Sequence, residues 1–183
     1  MTIGVLASGT GTVLAALLDA GLPVAVVLAD RECRALGLAA DAGIPAQLVA
    51  RPSFGAGFDR LEYTHRIVDA LQEAGIDLVV MAGFATVLDK PLFDACAGRV
   101  LNTHPSLLPS FPGWHAVEEA LAAGVKVTGC TVHVATMDVD AGPILAQEAV
   151  PVLPGDTVDT LHERIKAVER RLYPQTVKEF LQL

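Results

Sequence analysis

The sequence has little cysteine, few aromatic residues and no surplus of positive charge. Cys33, Cys96 and Cys130 form an odd, widely spaced set without a CxxC pair. Such a set argues against a disulfide framework and for a reducing compartment. Aromatic residues make up only 5% of the chain against 52% hydrophobic residues overall, a mix common in compact α/β domains. Charged residues are 19% and mean hydropathy is +0.47, which excludes a disordered chain. With 21 acidic against 13 basic side chains, the net charge of -8 excludes an electrostatic grip on nucleic acid or anionic membrane. No Lys or Arg precedes Arg31, so the uncharged start lacks the basic region of a signal peptide. Pro105, Pro109 and Pro112 interrupt the stretch 100–117, which lacks Asp, Glu, Lys and Arg and could otherwise mimic a membrane span. The expectation is a cytoplasmic protein with small-molecule substrates, without nucleic-acid or membrane partners, and monomeric or homodimeric.

At 183 residues the chain can bury roughly 70% of its unfolded surface, enough for one sizeable core. Apolar runs at 3–7, 24–29, 78–81 and 100–101 read as buried strands. Helical stretches are expected at 13–18, 33–42 and 58–74, the last presenting Leu61, Thr64, Val68 and Leu71 on one face. This alternation predicts a Rossmann-like α/β fold, a mostly parallel sheet flanked by helices. Longer strands follow at 125–134 and 144–150. A final helix starts near Thr157 with Val158, Leu161, Ile165, Val168 and Leu172 in register, and is disturbed at Pro174. One domain over 1–183 is expected, with an N-terminal half to about 100 and a C-terminal half from about 101. Ligands of open parallel sheets lie outside the carboxyl ends of the strands. The segments 8–12, 83–88 and 102–113 follow strands directly and point to one cleft.

Ser8-Gly9-Thr10-Gly11-Thr12 joins the first strand to the first helix. Its glycines permit close backbone approach, and N–H groups at a helix start favour an anion. A plain tight turn with Thr12 near the cap has the same pattern. Gly9 and Gly11, with Asp30 about 20 residues on, also suggest a dinucleotide site, but Leu14 occupies the third fingerprint position. Asp30 then reads as a solvated strand end. Without the Lys-[Ser/Thr] ending of a P-loop, a single phosphate is the better match.

Asn102 and His104 lie two apart at a strand end, so in extended geometry they point the same way, and Pro105 restricts His104. Asp140 lies in the constrained loop Met137-Asp138-Val139-Asp140-Ala141-Gly142-Pro143. An amide, an imidazole and a carboxylate suit acyl transfer without a covalent nucleophile. Each also has a structural reading, Asp before Ala-Gly being a common turn residue. His104, His115, His133 and Cys130 suggest zinc only superficially, since Cys130 and His133 on a strand do not form a compact ligand fork and no HExxH is present. Asp138 and Asp140 lack the further acids of a hard-cation site, so no metal is expected. His133 reads as a core residue or a support for the site, and Trp114 as a lid or core filler.

The segment Asn102-Thr103-His104-Pro105-Ser106-Leu107-Leu108-Pro109, the block 129–142 and the glycine loop together resemble the phosphoribosylglycinamide formyltransferase family of folate-dependent formyltransferases. The similarity runs from Ile3 to about Pro174. It implies formyl transfer from 10-formyltetrahydrofolate, as co-substrate, to the glycinamide amine in de novo purine biosynthesis. Asn102, His104 and Asp140 match the catalytic trio. Gly11, Thr12 and Val13 match the loop holding the substrate phosphate, and Glu169 the acid contacting the ribose. Without the resemblance, Glu169 reads as a solvated partner for Lys166. Arg60, Ala85, Thr86, Val87, Leu88, Asn102, Thr136 and Asp140 match the folate site. Val13 replaces the family's usual Asn, and Ala85-Thr86 its Met-Arg, removing a polar contact and a cation.

In the implied mechanism the neutral amine attacks the formyl carbon. Asn102 and a protonated His104 donate to the resulting oxyanion, while Asp140 stabilises the imidazolium and relays the amine proton toward N10. Three alternatives carry different weights. A formyltetrahydrofolate hydrolase would use water as acceptor, but such relatives usually carry an added N-terminal domain for which there is no room. A methionyl-tRNA formyltransferase is disfavoured by the charge and the missing tRNA-binding domain. A non-catalytic folate- or nucleotide-binding homologue is supported only by Val13 and Thr86.

Overall fold

The computed structural model describes every residue except Phe54, Ala56 and Leu183. The expected range 1–183 thus ends one residue beyond the described chain. Two compact units are present, Met1–Leu101 and Asn102–Leu183.

The first unit is built on β1 (Ile3–Ala7), β2 (Val24–Ala29), β3 (Ala46–Leu48), β4 (Leu78–Ala82) and β5 (Val100–His104), whose last three residues open the second unit. The strand order is β3-β2-β1-β4-β5, and every pair in it is parallel. Helices α1 (Thr12–Asp19), α2 (Arg34–Asp41), α3 (Arg60–Glu73) and α4 (Lys90–Ala95) connect the strands. β1 is buried along its whole length, as its uninterrupted apolar run requires. The Asp59 side chain accepts the Glu62 N–H at 2.8 Å, starting α3 at Arg60. Thr64, Val68 and Leu71 are buried on α3 as expected, but Leu61 is exposed and Tyr63 and Ile67 take its share of the core.

The second unit continues from the end of β5 with α5 (Ala116–Ala122), β6 (Val127–Val134), β7 (Ile144–Pro151) and α6 (Val158–Leu181), in strand order β5-β6-β7. β6 and β7 are antiparallel, with a register shift between Val132 and His133. Val117, Cys130, Val150, Leu161 and Ile165 form its core, and Val158, Val168 and Leu172 pack against it, in line with the helical spacing. Thr157 and Thr160 close a capping box at the start of α6. The helix continues through Pro174, where a disturbance was expected, to Leu181. Tyr173, Pro174, Thr176 and Val177 are all buried, and packing outweighs the missing N–H. The result is the expected mostly parallel sheet with flanking helices, C-terminal strands and a final helix, a Rossmann-like fold. Among the described residues no helix is long and apolar enough to cross a membrane.

Candidate active site

In the second unit two segments supply Asn102, His104 and Asp140. β5 ends in Asn102 and His104, and the loop after β6 returns Asp140 toward them. This return is tight: a Cβ on Gly142 would lie 1.8 Å from the Val134 carbonyl oxygen, so only glycine fits. Asp140 adopts φ 56°, a left-handed conformation that Asp tolerates better than most residues. Its carboxylate is only 6% exposed, lies 3.3 Å from His104 Nδ1 through Oδ2, and accepts the Gly113 N–H on the same oxygen at 2.8 Å. The other His104 nitrogen, Nε2, is 2.8 Å from the Phe111 carbonyl oxygen. The Phe111 carbonyl can only accept, so a hydrogen on His104 Nε2 satisfies that contact.

Asn102 Nδ2 is 3.3 Å from His133 Nε2. His133 is buried, its Nδ1 is 3.1 Å from the Val134 carbonyl oxygen, and burial pushes its pKa below the ordinary value. Thr131, two residues earlier on β6, fixes the 106–108 turn. Its hydroxyl donates to the Ser106 carbonyl at 2.7 Å and accepts the Leu108 N–H at 3.0 Å. Thr131 was not expected at the site, whereas His133 was expected as a core residue or a support for it. Their signal was a polar pair at period two inside a strand otherwise buried on both faces.

Glu169 on α6 does not pair with Lys166, which bonds Glu163 at 2.9 Å instead. Burial raises its pKa, while a hydrogen bond with the Thr103 side chain opposes the rise. Thr103 Oγ1 lies 3.3 Å from the buried Cys130 Sγ, whose thiol burial pushes up to about 12. Thr136 donates to the Asp138 carbonyl at 3.0 Å. Trp114 is 68% exposed and fills no core. His115 is exposed and lies 3.8 Å from Glu118. Among the described residues no three His, Cys, Asp or Glu side chains gather as a metal site would need.

In the first unit, Gly11 is the N-cap of α1 at φ 75°, with Thr12 exposed as the first helical residue. The Val13 side chain is buried, so only its backbone can face a ligand. Asp30 is no solvated strand end. Its carboxylate is fully buried, forms a two-point pair with Arg31 at 2.9 and 3.0 Å, and accepts the Thr86 hydroxyl at 2.7 Å. The Thr86 side chain, which stands where the family pattern has Arg, is thus committed to Asp30. The Ala85 N–H donates to Ser8 Oγ at 2.7 Å, and Leu88 is buried. Arg60 pairs with Asp89 at 3.0 Å.

An amide, an imidazole and a carboxylate of this kind suit an acyl-transfer class, and the chain belongs to the formyl transferase family, whose model matches residues 1–177. It is 51% identical over 176 residues to phosphoribosylglycinamide formyltransferase of Mycobacterium tuberculosis, covering 92% of this chain and 79% of that protein. It is 43% identical over 183 residues to the human trifunctional purine biosynthetic protein adenosine-3, covering 96% of this chain and 18% of that one. Among solved structures, glycinamide ribonucleotide transformylase 1 from Symbiobacterium toebii superposes with a TM-score of 0.91. The two are 45% identical, covering 100% of this chain and 88% of that one. The resemblance read from sequence is confirmed, and the chain is a formyltransferase grouped with the phosphoribosylglycinamide enzymes.

Proposed function

We propose that the chain moves the formyl group of 10-formyltetrahydrofolate to the amine of 5′-phosphoribosylglycinamide, a step of de novo purine biosynthesis in the cytoplasm. His104 lies 3.3 Å from Asp140, and Asn102 bonds His133, whose Nε2 is 3.7 Å from the same carboxylate; this grouping carries the reading. The neutral amine attacks the formyl carbon, a new C–N bond forms, and the carbonyl oxygen takes the negative charge. Asn102 donates to that oxygen through the amide hydrogen not directed at His133. His104 donates from Nε2, exchanging its bond to the Phe111 carbonyl for one to the stronger acceptor. Collapse breaks the bond to N10, which gains the proton the amine gives up, with Asp140 relaying it through water. No metal and no covalent enzyme intermediate enter these steps.

Gly11, Thr12 and the Val13 N–H hold the substrate phosphate at the start of α1, where unpaired N–H groups favour an anion. Glu169 receives the ribose hydroxyls. Arg60, Ala85, Thr86, Val87, Leu88, Asn102, Thr136 and Asp140 line the folate site, Thr86 through its backbone because its side chain is bound to Asp30.

The test is a formyl-transfer assay with both substrates, alongside a measurement of formate released without the amine. Transfer is expected, and His104→Ala lowers kcat about 10²–10³-fold with folate affinity kept. Formate release that ignores the amine, or near-normal turnover by a folded His104→Ala variant, overturns the assignment.

A further inference from the structure

The amide of an Asn presents an oxygen and a nitrogen of nearly equal shape, so only its neighbours decide which way it points. Asn102 has such a neighbour in His133, and the position of one proton on that ring settles the matter. The Val134 carbonyl, 3.1 Å from His133 Nδ1, can only accept, so the proton is on Nδ1. In the neutral ring Nε2 is then a bare acceptor, and at 3.3 Å it takes a hydrogen from Asn102 Nδ2.

We infer that His133 is a positioning residue that, as a neutral ring protonated on Nδ1, holds the Asn102 amide with its nitrogen turned toward β6, fixing where the second N–H donates. The inference rests on the proposed formyl-transfer reading for its catalytic consequence, but not for its geometry. The register shift between Val132 and His133 lies at this residue, and such irregularities commonly re-aim a side chain beside a site.

The titratable groups that face the ring are His104 on β5 and Asp140 in the loop after β6; its β7 partner Ile144 carries none. Asp140 Oδ1 lies 3.7 Å from Nε2. A second proton on His133 would turn Nε2 into a donor, draw it to Asp140 and leave Asn102 Nδ2 facing a hydrogen. The Asn102 amide would then lose the partner that sets its orientation. Burial opposes that proton, which keeps the arrangement intact at neutral pH.

Two measurements test the assignment. Long-range ¹H–¹⁵N spectra of the ligand-free protein report the protonation of each ring nitrogen. His133 is expected to stay neutral with its proton on Nδ1 between about pH 6 and 8, the range in which an ordinary His titrates. A proton on Nε2, or a cation forming in that range, overturns the inference. Because these spectra need no substrate, they decide it even if formyl transfer itself fails in the wild-type assay. Kinetics supply the second readout. His133→Gln keeps an acceptor oxygen near the place of Nε2, while His133→Asn keeps a donor near Nδ1 and loses that acceptor. His133→Asn is expected to lower kcat about 10–100-fold, part of what a whole oxyanion donor is worth. KM for each substrate should stay within about threefold, and His133→Gln should restore most of kcat. Equal losses in the two variants, or losses confined to KM, overturn it.

Discussion

Replacing Gly11 by Ala adds one methyl group at the most constrained point of the glycine loop. At φ 75° the residue lies in the left-handed region, where an L side chain costs about 1–2 kcal/mol. The new Cβ would lie 2.7 Å from Leu38 Cδ1 and 3.0 Å from Ala35 Cα. Leu38 can turn its methyl aside, but Ala35 Cα belongs to the α2 backbone, and such overpacking costs about 1–3 kcal/mol. The stiffer unfolded chain offsets only about 0.4–1 kcal/mol. The net loss is about 1.5–4 kcal/mol, and for a chain of this size Tm should fall by roughly 3–15 °C. Gly9→Ala is the control, since its Cβ meets nothing within 4 Å, and its Tm should match wild type. Assayed well below its Tm, Gly11→Ala should also raise KM for the ribonucleotide while leaving that for the folate unchanged. A Tm within about 1 °C of wild type would refute the packing account. Equal rises in both KM values would refute the loop's role in holding phosphate.

Two other substitutions separate charge from shape. Asp140→Asn suits φ 56° and keeps an oxygen for the Gly113 N–H, so Tm should hold, while kcat falls about 10²–10⁴-fold for want of the carboxylate; matched losses in Tm and kcat would reduce Asp140 to a turn residue. Glu169 has a raised pKa, so the stability its bound proton confers is full below the ordinary carboxylate value of 4.5 and is lost as pH rises through the folded value. Glu169→Gln should therefore gain Tm over wild type as pH rises from acid to neutral, while ribonucleotide KM rises roughly 10-fold for the lost charged hydrogen bond. A wild-type KM would remove Glu169 from the ribose site.

What the sequence disclosed depended on whether a residue's partners lay within reach of a local pattern. β1, β2 and β4 were legible because apolar runs of five or six residues buried on both faces have few alternatives. β3 was not, since its three residues Ala46, Gln47 and Leu48 are all exposed and carry no periodicity. The helices α4 and α5, at six and seven residues, are too short to display a face. Pro174 misled because its cost was weighed without the packing on either side of it. Asp30 misled for a similar reason: Thr86, which helps satisfy its buried charge, lies 56 residues away on the loop after β4.

The proposed trio was legible for the opposite reason. Asn102 and His104 share a strand face, and Asp140 stands in a loop whose Gly142 and Pro143 declare a constraint. The groups that complete the trio are mostly backbone atoms. The Phe111 carbonyl faces His104 Nε2, the Gly113 N–H donates to Asp140, and the Val134 carbonyl faces His133 Nδ1. Every residue but proline carries both groups, so no spacing in the sequence marks these three as special. Side-chain identity could name the carboxylate, the imidazole and the amide. Which nitrogen holds a proton, and so which way each group can donate, depends on where the folded chain puts three main-chain atoms. The His133 spectra therefore probe the one part of this site that residue types leave open.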